Sequence, residues 1–272
     1  SISGTTNIDT SISNGAITLD QDDNSLVGSV TFNSGSGNVT LDNNTTDLSL
    51  ISTSTGTVTV ENAGAVTASG TMGALTVSNS TSFNDSATLT ITGATGITTT
   101  DGAVTLDDDS NNLGGTVTVS SGTGAITVDN NTNALDLVTT STGGVTVEDA
   151  GALTVAGSMG SFTVTNATSV NDSATLTVAG ATNVNTSASN GAITLDDDSN
   201  ALSGTVTVVA GTGNVTLDNN TTDLGLVVTS GNDVTIEGAG AVALSGTVSN
   251  NLLISSATGV TDSGTLSVTG TT

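Results

Sequence analysis

Gly15-Ala16-Ile17-Thr18-Leu19-Asp20 returns 87 residues later as Gly102-Ala103-Val104-Thr105-Leu106-Asp107, and 89 residues after that as Gly191-Ala192-Ile193-Thr194-Leu195-Asp196. This six-residue stretch decides the fold. Apolar and small polar residues alternate within it, the period of a strand with one buried face. Its recurrence at long, nearly constant intervals marks a repeat array rather than a single globular core. The residues between keep phase. Asn43-Asn44-Thr45 matches Asn130-Asn131-Thr132 and Asn219-Asn220-Thr221; Glu61, Glu148 and Glu237 correspond, as do Asp85, Asp172 and Asp262. A disordered chain of low complexity needs no such register.

A finer beat runs inside each long repeat. Apolar-x-apolar pairs stand at Ile17/Leu19, Val30/Phe32, Val39/Leu41, Leu48/Leu50, Val58/Val60, Val66/Ala68, Leu75/Val77 and Leu89/Ile91. Gly, Asn, Asp, Ser and Thr separate them, residues that enter turns cheaply. No segment carries the 3.6-residue apolar period of a helix. Many short strands in long in-phase repeats predict an all-β solenoid, a parallel β-helix with two or three strands per coil. Four coils of about 22 residues per long repeat fit best, with three of about 29 as the alternative. About twelve coils spaced roughly 4.8 Å apart predict a rod some 55–60 Å long. The expected organisation is one continuous solenoid over residues 1–272, with repeats at approximately 2–90, 91–177 and 178–267.

The alphabet suits that architecture. In Thr57-Val58-Thr59-Val60 alternation sends the valines inward and the threonines outward. Outward Thr is β-branched and favours strands. A narrow interior takes Val, Ile, Leu and Ala; only Phe32, Phe83 and Phe162 are aromatic. Proline would remove ladder donors, and there is none.

Composition also removes functions. The chain has no Lys, Arg, His or Cys and carries a formal charge of −25. With no cation to neutralise phosphates, nucleic-acid binding is not expected, and an anionic membrane surface is disfavoured for the same reason. The longest apolar runs are a few residues, so no membrane insertion is expected. Without cysteine there is no disulfide framework. A Ser nucleophile has no His or Lys to act as its base, and carboxylates that recur in phase three times suit structure better than one active site. The expectation is that the chain is not an enzyme and carries no catalytic or cofactor-binding residues.

Units such as Gly144-Val145-Thr146-Val147, Gly151-Ala152-Leu153-Thr154-Val155 and Ala174-Thr175-Leu176-Thr177-Val178 resemble the β-solenoid regions of large bacterial surface proteins, the filamentous-haemagglutinin-like and autotransporter-type adhesins. The resemblance runs along the whole chain. It implies a right-handed parallel β-helix, export, and a role as stalk or fibre in attachment or matrix.

Three minor signals compete with a purely structural role. The turn Asp20, Asp22, Asp23 recurs as Asp107, Asp108, Asp109 and as Asp196, Asp197, Asp198. Three acids in one turn are candidate Ca²⁺ ligands, since hard cations take carboxylate and carbonyl oxygens. The alternative is a solvated acidic turn, and no EF-hand loop or calcium-binding nonapeptide occurs. Thr-x-Thr pairs at Thr57/Thr59, Thr88/Thr90, Thr116/Thr118, Thr175/Thr177 and Thr205/Thr207 resemble those of ice-binding solenoids, which stack such pairs on one face. Glycosylation sequons begin at Asn38, Asn44, Asn79, Asn166 and Asn214, many expected by chance in this composition.

Ile2, Ile91, Val178 and Val268 are equivalent, so Thr272 runs in phase into Asn7-Ile8-Asp9. This predicts an excerpt of a longer array or, second, copies that stack end to end. The sequence thus leads to a structural protein outside the cell or at its surface, a stalk or fibre segment. The alternative is a module that binds ice or adheres with Ca²⁺.

Overall fold

In the computed structural model, which describes residues 1–272, the chain forms 27 strands and no helix. The strands pair in parallel between coils as a right-handed β-solenoid of about 13 turns. Contacts divide the chain into two compact units, Ser1–Leu135 and Asp136–Thr272.

In the first unit the inward residues stack in three columns. One holds Ile17, Val39, Val58, Leu75, Thr95 and Val117. Another holds Leu48, Val66, Phe83, Val104 and Ile126. The third runs Thr6, Val30, Leu50, Ala68 and Asp85. Five steps carry Ile17 to Val117, 100 residues, so a coil averages 20. Individual steps range from 17 residues (Val58 to Leu75) to 24 (Thr6 to Val30). Both expected coil lengths are therefore corrected, because narrow turns need fewer residues than the sequence spacing suggested.

The long repeat is not a whole number of these coils. Thr95 is the equivalent of Thr6, yet it stacks in the column of Ile17, resting on Leu75. Val104, the equivalent of Ile17, lies in the column of Leu48, Val66 and Phe83. Each repeat of 87 to 89 residues thus takes four coils and one further side.

The second unit advances in the same way. Val145, Phe162, Thr182, Val206, Leu226, Leu244 and Asp262 stack in one column. A second holds Leu153, Val170, Ile193, Val215, Val234 and Leu252. Thr182, the third copy of the Thr6 position, rests on Phe162, the equivalent of Leu75. Equivalent side chains in successive repeats therefore face different sides.

Alternation fills the interior as expected. Val58, Val60, Phe32, Phe83 and Phe162 are buried, while Thr40, Thr59 and Thr76 point outward. Complete burial of one such aliphatic or aromatic side chain contributes about 1.5–3 kcal/mol. Corners rest on asparagine. Asn44, Asn131 and Asn220 take left-handed backbone at φ 52–54°, a region Asn tolerates better than most residues. Beside them the buried Asn43, Asn130 and Asn219 bridge coils: Asn130 Oδ1 accepts the Leu113 N–H at 2.7 Å, and Asn219 does the same for Leu202. A side-chain amide here takes the place of a ladder peptide. Gly70, Gly157 and Gly246, also equivalent, have φ of 99–115° and sit where the register shifts. A Cβ on Gly157 would collide with the carbonyl of Thr139.

Candidate functional site

The bulge at Gly70 shapes the most chemically loaded part of the first unit. Ala68 pairs with Asp85 but Gly70 with Leu89, so the strand Ser82–Ile91 holds two extra residues there. Asp85 falls at an inward position and is only 5% exposed. No cation exists in the chain to pair with it, and a buried carboxylate left bare would be costly. Three donors from the next coil meet it. The backbone N–H groups of Asp107 and Asp108 donate at 3.2 and 3.1 Å, and Asn111 Nδ2 at 2.6 Å. Asn111 is itself buried, and its Oδ1 accepts the Leu89 N–H at 2.8 Å.

The second unit repeats the arrangement. Asp172, 6% exposed, accepts from the N–H groups of Asp196 and Asp197 at 3.2 and 3.1 Å and from Asn200 Nδ2 at 2.5 Å. Asn200 Oδ1 accepts the Leu176 N–H at 2.7 Å. The carboxylate thus organises the acidic turn above it through N–H groups alone.

Within the turns, Asp108 Oδ1 accepts from Ser110 N–H and from Thr88 Oγ1, both at 3.0 Å. Asp197 accepts from Ser199 N–H and Thr175 Oγ1 in the same way. Asp107 and Asp196 have their carboxyls pushed above the usual carboxylate range, first by partial desolvation and second by the charge of Asp85 or Asp172.

The nine predicted calcium ligands do not converge. Asp20, Asp22, Asp23, Asp107, Asp109, Asp196 and Asp198 are exposed, with Asp108 and Asp197 half-buried. No group of three or more carboxylates is placed to hold a metal ion. The backbone and hydroxyl donors of the turn take up Asp108 and Asp197 instead. Asp85 and Asp172, which anchor the turns, were missed as partners of this cluster. Their signal was an acid at an inward phase beside Phe83 and Val170.

The outward threonines form a single file in the first unit: Thr18, Thr40, Thr59 and Thr76 lie in register. Gly96 interrupts it before Thr118. The second residue of the Thr57/Thr59 pair is not continued, because Thr57 stands against Ala74.

A family model of repeats matches residues 1–33, 36–88, 56–120, 142–209 and 231–272, together well over half of the chain. The chain belongs to the repeats of unknown function (DUF5649). The DUF5649 matches echo the geometry: those starting at 36 and 56 are 20 residues apart, one mean coil, and those starting at 56, 142 and 231 are separated by 86 and 89, the long repeat. No curated protein and no solved structure matches the chain. No helix is long and apolar enough to cross a membrane.

Proposed function

We propose that this chain is a structural segment of an extracellular or cell-surface stalk or fibre, the kind of part played by the solenoids of the adhesins its sequence resembles. One observation carries the reading: each long repeat advances by one side of the solenoid, so equivalent residues fall on different faces. A module that recognises a surface needs one face of uniform chemistry. A repeat that moves round the axis spreads each residue type over all sides, which suits a load-bearing or spacing element. The buried polar groups support the same reading, since Asp85, Asn111 and Asn130 all spend their hydrogen bonds on a neighbouring coil. The residue inventory adds to it, with no His, Lys, Arg or Cys for catalysis and no Lys or Arg at which a trypsin-like protease cleaves.

The four-residue threonine file is the observation that favours the second reading, an ice-binding surface. Its break at Gly96 and its mixed neighbouring file weigh against it. Immunogold labelling of intact source cells tests the first reading. Label on the outer surface or on projecting fibres supports it, and label seen only after permeabilisation refutes it. Thermal hysteresis of the purified chain at millimolar concentration would establish the second reading in its place.

A further inference from the structure

Twice within the chain an inward carboxylate of one coil grips the acidic turn of the next: Asp85 with Asp107, Asp108 and Asn111, and Asp172 with Asp196, Asp197 and Asn200. Each half of this contact occurs a third time without the other. Asp262 is the third carboxylate, and it is exposed in the last coil with its strand paired on one side only. Asp20, Gln21 and Asn24 are the third donor set, in the first coil. Asn24 is half-buried there, and its Nδ2 donates to the Leu19 carbonyl at 2.9 Å.

We infer that the coil bearing Asp262 accepts the first coil of a second copy of this chain. This rests on the structural reading above and names the partner that such a segment takes. Asp262 receives the N–H groups of Asp20 and Gln21 and the Nδ2 of Asn24, as Asp85 and Asp172 receive theirs. The apolar positions agree. Val260 is 55% exposed, whereas its equivalents Phe83 and Val170 are 1% exposed. Those two stack on Val104 and Ile193, and the matching residue on the incoming coil is Ile17. Val268 corresponds to Ile91 and Val178, which stack on Leu113 and Leu202, so it is received by Leu26.

One segment must yield. Ser267–Thr272 is equivalent to Ser1–Thr6, and Ile2 already occupies the place beside Leu26 that Val268 needs. Ile2 is held by an isolated bridge and is 45% exposed. Docking therefore exchanges the first six residues of the incoming copy for the last six of the host. The charge of −25 per copy does not prevent it at moderate salt. Exposed charges are screened beyond about 8 Å at physiological ionic strength, while the carboxylate at the junction meets donors.

Sedimentation velocity over a concentration series, on the whole chain and on a form lacking Ser1–Thr6, tests the inference, with circular dichroism to verify folding. The expected result is open-ended, concentration-dependent association, tighter in the shortened form. Asp262→Asn and Asn24→Ala each weaken it by about tenfold or more, the loss of a charge-assisted contact. A mixture of those two variants, each with one sound end, forms dimers and nothing longer. Monomers at every concentration in both forms would overturn the inference but leave the stalk reading intact, with the solenoid serving as a spacer. Association indifferent to both substitutions would also overturn it, since the junction would lie elsewhere. Surface labelling of cells judges the stalk reading separately.

Discussion

Replacing Thr95 by Val should stabilise the first unit, contrary to the usual effect of a core substitution. Thr95 is 1% exposed and stands between Leu75 and Val117, and its Oγ1 has no hydrogen-bond partner. Thr182 has the same position between Phe162 and Val206, with the same orphaned hydroxyl and no exposure. A buried hydroxyl without a partner costs about 1–3 kcal/mol, and a valine of nearly the same shape removes that cost. Repeat arrays unfold piecemeal, so a global midpoint would blur the effect. Native-state hydrogen exchange reads it locally. In Thr95→Val the amides of Ala74–Ser80, Thr95–Thr99 and Thr116–Gly122 should exchange about 5- to 100-fold more slowly. Thr182→Val should do the same in its own unit, and the two effects should add because the sites share no partner. The outward Thr118→Val serves as the control and should shift stability by no more than about 0.5 kcal/mol. Unchanged or faster exchange in both inward variants would refute the reasoning, because each hydroxyl would then be satisfied within the fold.

Three further outcomes follow from the same geometry. Asp172→Ala strips the acceptor from Asp196 N–H, Asp197 N–H and Asn200 Nδ2; it should cost at least about 3 kcal/mol in a urea titration of the second unit, whereas an unchanged midpoint would mean the carboxylate anchors nothing. Because the carboxyls of Asp107 and Asp196 are raised in the folded chain, the folded state binds their protons more tightly than the unfolded one. Their contribution to stability is therefore fully present below the ordinary carboxylate pKa of about 3.9 and is lost as pH rises through the raised values. Relative to the parent, Asp107→Asn/Asp196→Asn should gain most at neutral pH and progressively less towards pH 4 (roughly the unperturbed pKa); a gain that widens on acidification would contradict the assignment. Gly157→Ala, forced to hold φ near 105° against the Thr139 carbonyl, should lose about 1–3 kcal/mol or more by thermal denaturation. Gly225→Ala, with nothing within 4 Å of the added carbon, should stay near neutral, and equal effects at the two glycines would rule out the bulge as the cause.

Much of the fold was legible because alternation and phase are both written residue by residue. Ile17/Leu19, Val58/Val60 and Leu75/Val77 announce inward pairs, and all but the half-buried Leu19 are buried. The coil length was not legible. Turns after Leu41, Val60 and Val77 differ in length, and only the pairing of Val58 with Leu75 reveals a step as short as 17 residues. The advance by one side per repeat was hidden for the same reason, since Thr95 looks like a second Thr6 until its neighbours are known. At the acidic turn the sequence displayed the wrong residues. Asp107, Asp108 and Asp109 stand together on the page, whereas the organising carboxylate Asp85 lies 22 residues before Asp107 and only the coil brings it alongside. Three adjacent acids drew attention as metal ligands because proximity along a turn implies convergence, yet the turn splays them toward solvent.

The measurement that bears most directly on the one-side advance, and so on the functional reading built on it, is disulfide trapping in a chain that has no cysteine of its own. Thr76 and Gly96 are direct neighbours in adjacent coils, and parallel neighbours lie about 4.8 Å apart, inside the Cα range a disulfide spans. The pair Thr76→Cys with Gly96→Cys should oxidise readily, since an added side chain at Gly96 meets nothing within 4 Å. Thr76→Cys with Thr105→Cys should not, because Thr105 stacks on Asn84 instead. Were the long repeat a whole number of coils, Thr105 would occupy the column of Thr18, Thr40, Thr59 and Thr76. Efficient trapping of Thr76→Cys with Thr105→Cys, and failure with Gly96→Cys, would contradict the advance and return the solenoid to one of uniform faces.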